Sequence, residues 1–157
     1  MEQVSPDKDQ NPLKVIFDYN GVFFSFFYDD ASSCIHRSRE YAMNYVYSGE
    51  MVLENEGKRV HVGKGECVFI PRDHHIVLHK KPCNGERYCG IFLNFTRQFL
   101  RRMYSNFEQY RVPADTPKLD AGVMKLPKTA EITSLFASMT PYFDPSVKPQ
   151  DDFLYCI

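Results

Sequence analysis

Five histidines and the glutamates near them are the residues whose types could do metal chemistry. An H-x-H pair, a nearby glutamate and a later histidine converge on one ion when they line the inside of a small β-barrel. Here His36 is followed by Ser38 where a second histidine would stand, although Glu40 is in place. His74 and His75 are adjacent, so at most one of them could face inward from a strand. The sequence therefore predicts no metal site.

Patterns for other kinds of catalysis are missing. The sequence has no G-x-S-x-G around a serine nucleophile and no G-x-G-x-x-G for a phosphate. No cysteine stands beside a histidine in a context that would activate the thiol. We therefore predict no catalytic residue and no cofactor, and we predict that the protein is not an enzyme.

The composition and the N-terminus indicate the compartment in which the protein works. Five cysteines, at positions 34, 67, 83, 89 and 156, are scattered without a C-x-x-C, which is typical of reduced thiols in the cytoplasm. The N-terminus is polar and acidic, unlike a signal peptide, and no apolar run approaches the roughly 18 residues of a membrane span. A net charge of -1 gives no bulk attraction to nucleic acid. These features predict a cytoplasmic protein without membrane contact.

Short runs in which apolar and polar residues alternate predict that most of the chain forms β-strands. In Val60–Leu78 the apolar runs are interrupted by G-K-G and P-R-D, which favour tight turns. Glu40–Ser48 alternates strictly and places Ala42, Asn44 and Val46 on one face, as the tapering inside of a barrel requires. About eight to nine such strands without intervening helices indicate a mainly β fold. We predict a cupin-like antiparallel β-barrel, or double-stranded β-helix, over residues 13–95.

Two residues are nominated for ligand binding, Asn44 and His36. Asn44 is a polar group on the predicted inner face of the barrel, among small apolar neighbours. A ligand held in the interior would need such a group for orientation.

Two to three helices are predicted after the barrel, in residues 96–157. Thr96 is a helix N-cap candidate, and the stripe from Phe99 to Phe107 is expected to pack on the barrel. A second helix begins near Thr129, and a third begins at Pro149. The apolar stripe of the second helix is predicted to join two subunits in a homodimer, with packing inside the chain as the alternative. Its residues are Ile132, Leu135, Phe136 and Met139. Residues 1–12 are expected to be a mobile lead-in.

Three motifs carry a resemblance to a known family. They are Y-V-Y-S-G-E at 45–50, G-K-G-E-C-V-F-I-P-R-D-H at 63–74 and Y-C-G-I-F-L-N-F-T-R-Q-F-L-R-R-M-Y at 88–104. With these motifs the chain resembles the N-terminal cupin-like domain of AraC-type transcription regulators, most of all the ExsA-like branch. The resemblance implies a barrel that senses a small-molecule or protein signal and helices that pair two subunits. It also implies DNA binding by a C-terminal helix-turn-helix domain.

That DNA-binding domain is not part of this sequence. The sequence stops within an apolar helix start, so we expect the natural chain to continue past Ile157. Two other functions remain open. One is a stand-alone metal-dependent cupin enzyme, an isomerase or dioxygenase, which would have to use His36, Glu40 and His75. The other is a small interaction module that acts without DNA.

Overall fold

The chain folds mainly into β-strands. A computed structural model describes residues 14–19, 23–37, 39–106, 122–144 and 146–147. The strands are β1 (Lys14–Tyr19), β2 (Phe23–Tyr28), β3 (Ser32–Arg37), β4 (Tyr41–Ser48), β5 (Glu50–Asn55), β6 (Lys58–Val62), β7 (Cys67–Ile70), β8 (His75–Lys81), β9 (Tyr88–Phe95) and β10 (Met124–Lys125). The predicted lead-in 1–12 and the third helix start at Pro149 lie outside the described residues.

Two antiparallel sheets form the barrel. One has the strand order β1-β2-β9-β4-β7-β10 and the other β3-β8-β5-β6. Buried residues of both sheets meet in one apolar cluster, so the inner faces pack on each other. The cluster draws on Phe26 and Phe92 from the larger sheet and on Leu53 and Leu78 from the smaller one. The predicted cupin-like antiparallel fold is confirmed.

The side chains of β4 alternate between the two faces of the sheet as predicted. Ala42, Asn44 and Val46 are buried on the inner face. Tyr45 and Tyr47 point the other way and belong to a second apolar cluster outside the barrel. The strand is therefore covered on both sides, which explains why its outward residues are aromatic.

The stretch from β6 to β8 carries the chain between the two sheets twice. The turn after β6 is closed by Gly65 N–H donating to Val46 O at 2.8 Å, and by Gly63 N–H donating to the Glu66 carboxylate at 2.8 Å. Gly65 has φ +78°, which favours glycine. In the turn after β7, Asp73 has φ +60°, a backbone conformation that aspartate tolerates better than most residues.

The two helices, α1 (Arg97–Asn106) and α2 (Ala130–Ser138), have opposite surroundings. Thr96 caps α1 by accepting from Phe99 N–H at 3.1 Å, and Thr129 caps α2 by accepting from Ile132 N–H at 3.3 Å. No residue of α1 is buried. The prediction that α1 packs on the barrel is therefore wrong for Arg97–Asn106, where the apolar stripe is largely exposed and Phe99 touches the barrel at its edge, with its ring 6.1 Å from that of Phe95. Phe107, the last residue of the predicted stripe, lies outside the described residues.

Helix α2 packs on the outer face of the larger sheet. The ring of Phe136 stacks on Tyr45, with centroids 4.4 Å apart and an interplanar angle of 13°. Its backbone carbonyl accepts a hydrogen bond from the Tyr47 hydroxyl. A 3₁₀ helix, Thr140–Phe143, follows and adds Tyr142 against Phe23 at 5.2 Å. In the described ranges, no helix is long and apolar enough to cross a membrane.

Candidate functional site

Asn44 is fully buried inside the barrel, at 0% exposure. Its Nδ2 lies 3.5 Å from Met51 Sδ, and a thioether sulfur is a weak acceptor. Among the described residues, its Oδ1 has no hydrogen-bond partner. The amide side chain also hydrogen-bonds Tyr88, so the orphaned group is the oxygen. A buried acceptor without a partner costs free energy, and such a group is a candidate for binding something else.

His36 also faces the interior, as its placement on β3 requires. It is cross-strand partner to the buried Ile76, and its ring stacks on Phe92 with centroids 5.3 Å apart. Burial, helped by the nearby charge of Lys80, lowers the pKa of His36 to about 4. His36 is therefore neutral at pH 7, and its Nε2 has no hydrogen-bond partner in the part of the chain that the structure describes.

Lys80 is a third polar group in the interior, and sequence reasoning missed it. Only 4% of the residue is exposed. Its Nζ lies 4.1 Å from the ring centroid of Phe26 and 5.2 Å from that of Phe92, distances at which a cation is attracted to a ring face. Burial lowers the pKa of Lys80 to about 8. The signal was present in β8, where alternation puts Lys80 on the same face as Ile76 and Leu78.

These three groups surround one aromatic ring. Asn44 is the cross-strand partner of Phe92 in the β4–β9 pair, so the two inward side chains are neighbours. His36 stacks on Phe92, and Lys80 approaches it from β8. The two nominated ligand residues, Asn44 and His36, are thus brought to one place with Lys80. Donors and acceptors within an apolar, aromatic surround are the usual makeup of a small-molecule site.

The residues needed for a metal enzyme do not converge. His36 points into the barrel, whereas His75 is exposed and paired with Arg37 on the other face of the same sheet. The carboxylate of Glu40 accepts from the N–H of Arg97 at the start of α1. In the described ranges, no group of three histidine, cysteine or acidic side chains is placed to hold a metal ion.

A polar network lies on the outer face of the smaller sheet. Ser33 Oγ and His79 Nδ1 are 2.7 Å apart, and His79 Nε2 is 3.4 Å from a Glu54 oxygen. Arg59 pairs with the same carboxylate at 2.6 Å, and hydrogen bonds from His79 and Arg59 hold the pKa of Glu54 below its usual value. The network borders a surface groove of about 330 Å³ that Lys80 also lines. Sequence reasoning did not bring these residues together, because they come from four strands.

The predicted dimerisation stripe is used within the chain. Phe136 and Met139 are buried in the outer cluster, and Ile132 and Leu135 are partly buried against it. The stripe therefore packs inside the chain, which was the alternative to dimerisation that the apolar periodicity allowed. The face of α2 that remains exposed carries small and polar residues: Glu131, Thr133, Ser134, Ala137 and Ser138.

The family relationship follows from a match over most of the chain. The model of the ExsA N-terminal regulatory domain matches residues 41–156, which include β4 to β10 and both helices. The chain belongs to this family. It is thus a regulatory domain of the AraC type, as the three motifs predicted. By sequence, no curated protein matches the chain.

Solved structures of ToxT agree with this chain in fold. ToxT from Vibrio cholerae superposes with a TM-score of 0.61 at 9% identity, over 85% of this chain and 51% of that chain. A second ToxT structure, bound to (E)-4-(8-methylnaphthalen-1-yl)but-3-enoic acid, has a TM-score of 0.58 at 9% identity, over 85% and 52% of the two chains. A Cupin 2 conserved barrel domain protein from Salinispora arenicola matches at 16% identity and a TM-score of 0.44, over 68% and 98%. The ExsA-type domain described here thus spans about half the length of ToxT.

Proposed function

We propose that this ExsA-type domain is the sensing and dimerising part of an AraC-type transcription regulator. It binds an effector inside the barrel and passes the signal to a C-terminal helix-turn-helix domain outside this sequence. The observation that carries the proposal is a pair of inward atoms without a hydrogen-bond partner among the described residues, Asn44 Oδ1 and His36 Nε2, beside the buried Lys80 on a regulatory-domain fold. A purely structural barrel would gain stability from apolar residues at these positions.

The sensing mechanism is a shift between two states. The aromatic residues around the polar groups pack against each other, with Phe26 stacked on Phe92 at 5.7 Å and on Tyr88 at 5.9 Å. An effector that enters this core has to displace side chains, so it binds a rearranged barrel better than the one described. Its binding energy then favours the rearranged state. ToxT, which shares the fold, has been solved with an organic acid and with an unsaturated fatty acid.

Dimerisation is assigned to α1, since the apolar side of α2 is occupied by the sheet. Phe99, Met103 and Tyr104 form an exposed apolar stripe on α1, and Tyr104 is 69% exposed. An exposed stripe at helical spacing is stable in water when a partner covers it. A second copy of the chain is the partner that a regulator of paired promoter half-sites requires.

Charged residues in the α1 stripe are expected to give a monomer. We expect Phe99→Glu with Met103→Glu to weaken the dimer by about tenfold or more, because two central apolar contacts are lost and like charges face each other. Sedimentation equilibrium measures the change. Since α1 has no buried residue, melting of the monomer should not change.

The matched control is Gln98→Glu, which adds an acid to α1 outside the stripe. It should leave the dimer intact. A variant that stays dimeric with both glutamates in the stripe would contradict the assignment to α1.

A further inference from the structure

A serine, a histidine and a glutamate follow one another on the outer face of the smaller sheet. Ser33 on β3 and His79 on β8 are direct cross-strand partners, and Ser33 Oγ lies 2.7 Å from His79 Nδ1. The other ring nitrogen, Nε2, lies 3.4 Å from Glu54 Oε2 on β5. Hydroxyl, imidazole and carboxylate are thus placed in the order that activates a serine nucleophile.

The carboxylate of Glu54 is held so that one oxygen faces the histidine. Arg59 binds the other oxygen, Oε1, through Nε at 2.7 Å and through a terminal nitrogen at 2.6 Å. Hydrogen bonds from His79 and from Arg59 keep the pKa of Glu54 below its usual value, so the group is ionised at neutral pH. An ionised carboxylate beside Nε2 favours the tautomer that carries its proton there. Nδ1 is then the nitrogen that accepts the proton of the Ser33 hydroxyl.

The contact between His79 and Glu54 is longer than an ordinary hydrogen bond. Nε2 is shielded from solvent, and it makes no shorter hydrogen bond to the described residues. Glu54 is therefore the acceptor that a proton on Nε2 has available. Hydrogen bonds of catalytic groups are often long in the free protein and shorten when the substrate binds.

Ser33 and His79 both line the surface groove of about 330 Å³, so the hydroxyl and its base are reached from solvent. The volume admits a small molecule. Arg59 lines the same groove and has five N–H donors, of which the carboxylate occupies two. Glu50, also in the lining, is neutralised by Lys81 at 2.6 Å. A cation beside the groove stabilises negative charge that develops on an attacked carbonyl oxygen.

We propose that this groove is a second functional site, in which Ser33 is acylated by small esters. The activity is separate from effector sensing inside the barrel and does not depend on it. Ser33 Oγ attacks the acyl carbon and His79 Nδ1 takes the hydroxyl proton. The bond to the leaving alcohol then breaks as that proton passes to the alcohol oxygen. Water hydrolyses the acyl-serine in the same way, so an ester and water give a carboxylic acid and an alcohol.

The test treats the 157-residue chain with para-nitrophenyl acetate and locates the acetyl group by peptide mass spectrometry. Phenylmethanesulfonyl fluoride is used in parallel, because its serine adduct, formed with loss of fluoride, is stable to water and persists even where deacylation is fast. We expect at least one reagent to modify Ser33 about tenfold or more faster than Ser32. Ser32 is the matched control, since it lines the same groove but hydrogen-bonds Tyr28. The inference is overturned if neither reagent modifies Ser33 faster than Ser32.

The variant His79→Gln identifies the base. Modification of Ser33 should slow by about a hundredfold, as is typical when a general base is lost. The side chain of His79 is 38% exposed, so the variant should fold, and His79→Asn replaces it if it does not. His61→Gln is the matched control, because His61 is an exposed histidine on the same face, across Val52 from His79. Equal modification of Ser33 in His79→Gln and in the wild type would reject the site.

The variant Glu54→Gln tests the positioning of the imidazole. The rate of Ser33 modification at saturating ester should fall by about tenfold or more, because glutamine no longer selects the tautomer. The half-saturating concentration should not change, since Glu54 lies outside the lining of the groove. Glu50→Gln, which removes an acid from the lining, should keep the saturating rate. A change in the half-saturating concentration alone for Glu54→Gln would reject the positioning role.

Discussion

Replacing Phe136 by alanine is expected to lower the free energy of unfolding by about 3–5 kcal/mol, the range found for truncating a buried aromatic side chain. Phe136 is 0% exposed, and its ring lies flat on Tyr45. Its loss removes the central contact between α2 and the larger sheet. Met139 and Tyr142, which follow in the chain, are buried in the same cluster and would lose part of their packing.

Urea unfolding of the variant measures this loss, with Ser134→Ala as the control. Ser134 is exposed on the same helix, so its replacement should change the unfolding free energy by less than about 0.5 kcal/mol. A loss below about 1 kcal/mol for Phe136→Ala would mean that α2 is not docked as described, and would return Phe136 to the set of candidate dimer contacts.

Acid is expected to destabilise the domain through His36. The pKa of His36 is lowered by burial from 6.5 to about 4, so the unfolded chain takes up a proton at pH values where the folded chain does not. The stability is fully present above pH 6.5 and is lost as the pH falls towards 4. The full shift corresponds to about 3 kcal/mol.

Unfolding free energies measured between pH 7 and 5 isolate this effect. Glu54, Glu66, Glu131 and Asp144 also have lowered pKa values in the fold, but their unfolded carboxyl groups titrate at 4.5 or below. His36→Phe keeps a ring against Phe92 and should remove most of the slope in that window. His75→Phe changes an exposed histidine and should keep the slope. An unchanged slope in His36→Phe would show that His36 is not buried as described.

Alternation was enough to predict the inner face of the barrel. In β4 the small residues Ala42 and Val46 point inward with Asn44, and the tyrosines point outward, as the pattern requires. The same rule places Lys80 inside with Leu78. Because charged side chains are rarely buried, sequence reasoning did not place Lys80 in the site with Asn44 and His36.

Periodicity could not predict which surface covers each helix. An apolar stripe has the same spacing whether it packs on its own sheet or on a second subunit. Both helices carry an apolar stripe at helical spacing, yet Phe136 of α2 is buried while Phe99 of α1 is exposed. The difference comes from β10, which joins the larger sheet beside β7 and brings the chain back over that sheet just before α2.

The turn after β7 carries the chain from the larger sheet to the smaller one. Asp73 has a φ of +60° in this turn, and the backbone passes there from one sheet to the other. The next strand then exposes His75 and buries Ile76. The motif specifies the barrel, and the polar groups that could bind an effector come from β3, β4 and the end of β8.

The regulatory function is tested most directly by fusing residues 1–157 to a helix-turn-helix domain that binds its operator only when dimerised. If the chain is a dimerising regulatory domain, the fusion should repress a reporter carrying that operator, and Phe99→Glu with Met103→Glu should abolish repression. A fusion that represses no better than the monomeric DNA-binding domain alone would contradict the account.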